Sequence, residues 1–448
     1  MALTSPRITC SRAGRLVAGA LWIGFFAMPI AAFSGADMLS VIVGALTLFV
    51  GAITASFSRR YMRSDPVEAR FFGNLGLLVL AVLVLVFAGN VLLIALGWCL
   101  SGWALARLVG HSSGLEDASA ACRRTMRSFI LGDGALLAAL GLLAWHAGSI
   151  DLAVVPDRAG SLSPFLLTLA ALGLLIAAAA RCALPPFSGW LMSSMTAPTP
   201  VSALMHAGLV NAGGFLLLRF APVFEMADIA RFAAVGTGLF AAFWGLGIMM
   251  VRPDIKGSIA GSTVAQMGFM IMSCGLGAYA AALWHLVAHG LFKAWLFLGS
   301  GSAIGIAGNR RSVLVDPKLA TATAAILFAG VGAAIFSGLA SAGVVPLTLG
   351  LLTGLTTLAA VLGGDLRGRT RIGLGAIIAG LFAVNGLGLL FAAGAFSSPP
   401  PALLGSWEVL ALLAVFLASW AAQHGRLAAR RPLPPALYAA LINAGALR

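Results

Sequence analysis

Charge is what this sequence has least of: only 9% of its 448 residues are charged, against about 25% in soluble domains. That deficit excludes an ordinary water-soluble globular fold. Cysteine is scarce and scattered. Cys10, Cys99, Cys122, Cys182 and Cys274 never form a C-x-x-C pair, so neither a disulfide framework nor a metal cluster is indicated. There is no glycine-rich phosphate loop, no G-x-S-x-G elbow and no pair of carboxylates at catalytic spacing, which argues against a nucleotide enzyme or a hydrolase. No catalytic residue, metal site or cofactor is expected in this chain. Long hydrophilic stretches are missing too, the longest polar inserts being Gly110 to Arg127 and His146 to Ser163.

What remains is apolar, at 60% of the chain. A bilayer core about 30 Å thick takes roughly 20 apolar residues per helical span. Such runs begin near Leu16, Met38, Phe71, Asn90, Ser128, Ser163, Pro200, Ile229, Ile255, Tyr279, Leu319, Val344, Ile372 and Leu403. The expectation is an all-α polytopic membrane bundle of about 14 helices filling residues 1–424. Abundant Gly and Ala allow close helix approach in lipid. A basic tail, 425–448, carries Pro432-Leu433-Pro434-Pro435 and then Ala436 to Leu447. It reads as a short amphipathic helix on the cytoplasmic face or against a partner.

The formal net charge of +14 would point to nucleic acid in a soluble protein, so its placement decides the matter. With both ends in the cytoplasm, the inside segments carry 23 of the 28 Lys and Arg, beginning with Arg7, Arg12, Arg15, Arg59, Arg60 and Arg63. Outside loops hold only Arg158, Arg219 and Arg231, while Arg181 and Lys293 fall inside spans. The positive-inside rule is obeyed throughout. A multi-pass protein of the bacterial inner membrane is expected, in contact with lipid and not with nucleic acid. The first run, with three upstream arginines and small residues from Ala31 to Ala36, also fits a cleavable signal peptide.

One run is interrupted by Leu184-Pro185-Pro186-Phe187-Ser188-Gly189-Trp190. Proline removes backbone donors and clashes with the preceding turn, so the helix must break, and broken helices mark ion sites in transporters. A plain loop between two spans is the alternative. Pro198 and Pro200 are counted with the break. A fainter echo, Phe336-Ser337-Gly338 with Pro346, lies five spans later, an offset that would invert the orientation of a repeat.

Ionisable groups inside spans cost about 2.5–3.5 kcal/mol each on insertion scales and are functional candidates by default. His285, His289 and Lys293 are spaced i, i+4, i+8 and share one helix face. Histidine titrates near neutral pH, and lysine is a group that burial brings toward it, so the three could pass protons; interhelical hydrogen bonding alone is the other reading. Asp133 and Arg181 have opposite charge and are expected to pair, since each alone would be an uncompensated buried charge. Arginine stays protonated and can hold a field without relaying a proton. His206 and Gln266 would complete a polar file.

The segment from Ala197-Pro198-Thr199-Pro200 through Met205-His206-Ala207 resembles the signature of the antiporter-like subunits shared by respiratory complex I and Mrp-type antiporters. Tyr61-Met62-Arg63, Arg70-Phe71-Phe72, Asp254-Ile255-Lys256 with Ser262 to Gly268, and His285 to Ser302 reinforce it. The resemblance implies two inverted five-helix repeats, here about 71–220 and 229–364, with a broken helix in each. Leu209-Val210-Asn211-Ala212-Gly213-Gly214-Phe215 and Arg219-Phe220-Ala221-Pro222 look most like the DabB-type branch. That branch implies a DabA-type, zinc-containing partner similar to β-carbonic anhydrases, and protons driving accumulation of carbon dioxide or bicarbonate. Two other readings stay open: an antiporter-like subunit of a complex I, hydrogenase or Mrp-type complex, and a non-conducting membrane anchor. The chain also departs from the family pattern. Cys99 stands where a glutamate is usual, Arg181 stands for a lysine, and no lysine occurs near Ser337 and Gly338. Asp133, His206, His285, His289 and Lys293 match in type, so a proton path through Lys293 with a fixed charge at Arg181 is expected.

Overall fold

The computed structural model describes residues 12–300, 325–326, 328–333, 344–351, 355, 368–396, 401–429 and 433–444. Helices α1 (Arg12–Phe33), α2 (Met38–Tyr61), α3 (Glu68–Val86), α4 (Val91–Val109) and α5 (Glu116–Ala147) open the chain. After the single turn α6 (Val155–Arg158) come α7 (Pro164–Arg181), α8 (Ser188–Ser193), α9 (Thr199–Ala207) and α10 (Ala212–Arg219). Then follow α11 (Ala221–Glu225), α12 (Asp228–Val251), α13 (Ile255–Leu276) and α14 (Tyr279–Gly299). Near the end of the chain are α15 (Gly368–Ala393), α16 (Ser406–Ala429) and α17 (Pro435–Ile442).

The protein is an all-α, multi-pass membrane bundle. Eleven helices among the described residues are long and apolar enough to cross a bilayer, with α9 and α10 counted as one, and Ser406–Ala421 is a shorter apolar stretch. The first ten expected spans each correspond to one of them. Most of the eleventh and twelfth, and the echo at Phe336-Ser337-Gly338, lie outside the described residues. Polar residues start several helices where the sequence changes from loop to apolar run. Asp37, Asn90 and Asp254 each accept a hydrogen bond from a first-turn N–H, which satisfies an otherwise orphaned donor. Outward-facing Leu16, Ile23, Phe26 and Ile30 on α1 have hydrocarbon as their natural neighbour.

Contacts between loops sort the helix ends into two faces. On one, Arg219 donates to Asp37 and the Ala88 carbonyl, Asn90 bridges Asp151, and Arg231 donates to the carbonyls of Gly275 and Pro401. On the other, Arg70 donates to the His111 carbonyl and His111 contacts Asp65 at 3.0 Å. There too, Lys256 reaches the Ala197 carbonyl and Arg252 that of Ala444. Arg219 and Arg231, expected outside, fall on the first face, and the second face carries Arg70, Arg252 and Lys256. Arg231 is not in a loop, however: it occupies the first turn of α12 and is 1% exposed.

The tail also departs from expectation. The boundary at 424 falls inside α16, and α17 is apolar on all sides, Pro-Ala-Leu-Tyr-Ala-Ala-Leu-Ile, so it has no polar face to lay on water. Leu441 is buried against Gly247 and Ile248 of this chain's own α12.

Candidate functional site

Two buried charges organise the interior. The first sits at the interrupted helix. α7 ends at Arg181, Ala183 turns the chain at φ 55°, and α8 starts only after Pro185-Pro186. Cys182, Ala183 and Leu184 are fully buried, as a break at membrane depth requires. The groups freed there are recaptured, because the Trp190 indole donates to the Ala180 carbonyl (2.9 Å) and Leu184 N to that of Ala179 (2.9 Å). Pro198 and Pro200 do not belong to a break. They start α9, where a proline in the first turn removes no helical hydrogen bond. The seventh span is interrupted instead at Gly208, where a 3-10 turn over Leu209–Asn211 separates α9 from α10. There the Asn211 side chain donates to the Ala207 carbonyl at 2.8 Å.

Arg181 is 1% exposed and fully accounted for. Its Nη2 pairs with Asp133 Oδ1 at 3.0 Å and donates to the Trp98 carbonyl at 3.1 Å, while Nη1 donates to Ser101 at 3.3 Å. The guanidinium lies 4.4 Å from the ring centres of both Trp98 and Phe129, a favourable cation–π arrangement. Gly102 leaves the room, since a Cβ there would come 2.9 Å from Nη1. This site is an ion pair in an aromatic cage.

The second charge, Lys293, is also 1% exposed but has no carboxylate partner among the described residues. Its Nζ donates to the Ile259 carbonyl at 3.0 Å and to the Ser262 hydroxyl. The Thr263 hydroxyl lies 3.1 Å from the same carbonyl and 3.0 Å from Nδ1 of His206, and so bridges the two. His206 stacks on Phe297 at 4.3 Å, one turn along α14 from Lys293. His289 and His285 continue the face, their rings stacked at 5.8 Å, with His285 beside Phe269 and Gln266. Nε2 of His206, Nε2 of His285 and both ring nitrogens of His289 are buried without a hydrogen-bond partner among the described residues. Helix α14 comes this close because of Gly290, where a Cβ would stand 2.8 Å from the Ala207 carbonyl.

The structure thus gathers Lys293, His289, His285 and His206 into one file and sets Asp133 and Arg181 in another. Cys182, next to Arg181, donates to the Val210 carbonyl at 3.0 Å, so the two interruptions touch. Sequence reading gave no role in the site to Ser262, Thr263, the Ile259 carbonyl or Asn211. Single hydroxyls and amides in spans are too common to stand out; the one available signal was that Ser262 and Thr263 lie one turn beyond Ile259. No three His, Cys, Asp or Glu side chains converge as metal ligands among the described residues. At the face bearing Arg219, burial opposes ionisation of Asp37, but donors from Ser40 and Arg219 outweigh it and hold its carboxyl below the usual range. Burial pushes the Glu225 carboxyl up.

Comparison with known proteins decides the lineage. The family described as NADH:quinone oxidoreductase/Mrp antiporter, TM, matches residues 88–378. The chain belongs to this family. Within it, the chain is 38% identical over 306 residues to the probable inorganic carbon transporter subunit DabB1 of Halothiobacillus neapolitanus, covering 67% of this chain and 53% of that one. It is 37% identical over 271 residues to NADH-quinone oxidoreductase subunit L of Mycobacterium tuberculosis, covering 60% and 43%. This antiporter-like chain therefore spans about half the length of the curated relatives it matches. The solved Mrp complex from Dietzia sp. matches 96% of this chain and 55% of that one at 22% identity, with a TM-score of 0.65, so the two share a fold.

Proposed function

We propose that this chain is the proton-conducting membrane subunit of a two-component inorganic-carbon uptake complex, and that Lys293 is its proton-exchanging group. The observation that carries the reading is the buried Lys293, held by a hydroxyl and a carbonyl with no counter-ion among the described residues, beside three histidines with open ring nitrogens. An ammonium without a carboxylate can be neutralised by giving up its proton, and imidazoles one helical turn apart can take it on. Arg181, permanently charged and paired with Asp133, supplies a fixed field beside the path. In this reading the arginine-rich face and both termini are cytoplasmic, and residues 71–220 and 229–364 are two inverted repeats. Carbon hydration is the work of a DabA-type, zinc-containing partner; the likeness to a DabB1 subunit supports this.

The test is uncoupler-sensitive uptake of labelled inorganic carbon in cells carrying the complex, with copurification from mild detergent. Uptake lost in Lys293→Ala, with a zinc-containing partner retained, is the expected result. The likeness to subunit L favours redox coupling as the second reading; flavin or iron–sulfur partners would replace the proposal with that one. Full uptake by Lys293→Ala would leave only a membrane anchor.

A further inference from the structure

Helix α5 is too long for the bilayer. Its 32 residues extend about 48 Å, against a hydrocarbon core of about 30 Å. The surplus belongs to its N-terminal end, because Glu116, Asp117, Arg123, Arg124 and Arg127 all precede Ser128, and only Asp133 and His146 are ionisable beyond it. Those first turns therefore stand at headgroup level on the arginine-rich face. There they flank a cavity of about 740 Å³ that reaches the turn before α8. Arg123, Arg124, Arg127 and Leu131 of α5 line it together with Pro186 and Phe187 before α8. Arg124 crosses to within 3.7 Å of the position a Cβ would take on Gly189. None of the three guanidinium groups is in an ion pair among the described residues. Glu116 and Asp117 line the cavity as well; they lie in the first turn, where the helix dipole favours carboxylates.

We propose that this cavity binds a phosphate-bearing anion, the headgroup of an anionic phospholipid. Guanidinium groups present paired N–H donors that match phosphate oxygens, and basic pockets between spans at the membrane surface select anionic headgroups. The cavity is also two-sided. Exposed Ile130 and Leu131 continue from it along α5 into the hydrocarbon, giving acyl chains a surface that a free oxyanion would not use. A headgroup held here bridges α5, which carries Asp133, to the Pro185-Pro186 interruption beside Arg181.

The experiment is lipid retention by the purified full-length chain in mild detergent, read by native mass spectrometry. Cardiolipin, phosphatidylglycerol, phosphatidylcholine and inorganic phosphate are supplied separately. Cardiolipin and phosphatidylglycerol should stay bound where phosphatidylcholine is lost. The Arg123→Gln/Arg124→Gln/Arg127→Gln variant should weaken retention on the order of a hundredfold, three charges at about fivefold each. An Arg60→Gln control at another exposed arginine should not. Because the triple variant can fail to fold, Glu116→Gln/Asp117→Asn provides the opposite arm and should tighten retention. Equal retention of phosphatidylcholine, indifference to both sets of substitutions, or displacement of lipid by inorganic phosphate alone would overturn the assignment. The last result would give the cavity to a soluble oxyanion.

Discussion

Arg181 and Lys293 are equally buried cations in one bundle, yet the structure treats them in opposite ways. Arg181 has a carboxylate at 3.0 Å, two further acceptors and two aromatic faces. Lys293 has a hydroxyl and one carbonyl. A cation that must stay charged is neutralised by a neighbour, whereas one left without a counter-ion has an inexpensive route to neutrality through its own proton. On the proposed function, the difference separates a permanent charge from an exchangeable one, although the two residues look alike in a hydropathy plot.

The sharpest way to break this contrast is to give position 293 a charge that cannot leave. In proteoliposomes of the complex containing a pH-sensitive dye, Lys293→Ala and Lys293→Arg should both lower proton flux on the order of 10²-fold, the lower range for loss of a general acid–base. Flux retained by the arginine variant would show that proton release at 293 is unnecessary. On the other side, Asp133→Asn strands the Arg181 charge. It should cost about 3 kcal/mol of stability in detergent, the low end for a broken buried pair, because Asp133 is 18% exposed. Asp133→Asn with Arg181→Gln should recover most of that. A double variant no better than the single one would deny the pairing its stabilising role.

Smaller effects test the geometry between the two charges. Gly290→Val forces a side chain against the Ala207 carbonyl and should cost about 1–3 kcal/mol, read by thermal unfolding, with flux falling as α14 moves away from His206. Thr263→Val keeps the shape and removes the hydroxyl linking His206 to Ile259. A loss of about 1 kcal/mol with flux lowered several-fold is expected, and unchanged flux would remove Thr263 from the route. The smallest effect lies at the Arg219 face. The Asp37 carboxyl is held below its ordinary value, so its contribution is complete above the unfolded pKa near about 4 and fades as pH falls through the folded one. Acid unfolding curves of Asp37→Asn and the parent should converge at low pH, by a margin limited by the exposure of this pair.

Much of the architecture was legible because lipid imposes one rule on every span. Ten apolar runs up to Gly299 became ten membrane helices, and the Pro185-Pro186 break landed where backbone chemistry demanded it. The i, i+4, i+8 spacing of His285, His289 and Lys293 put them on a common face, and opposite charge predicted the contact of Asp133 with Arg181. Other features were illegible for definite reasons. Pro198 and Pro200 read as breakers because proline's effect depends on its place in a helix, which the sequence does not mark. The interruption at Gly208 carries no proline, so it gave no comparable signal. Arg231 read as a loop residue because its acceptors, the carbonyls of Gly275 and Pro401, are backbone groups distant in sequence. The docking of α17 through Leu441 depends on a matching hollow at Gly247, far upstream.

The Ile259 carbonyl has a consequence of its own. Its helical N–H partner aside, this one oxygen is approached by Lys293, Ser262 and Thr263 at 3.0, 2.8 and 3.1 Å, more donors than two lone pairs can serve at full strength. Competition for that acceptor makes the lysine and the threonine alternatives. The Thr263 hydroxyl also lies 3.0 Å from Nδ1 of His206, so whatever weakens its hold on the carbonyl acts on that imidazole contact. One backbone oxygen thus ties the lysine of α14 to the histidine of α9 through a single hydroxyl of α13.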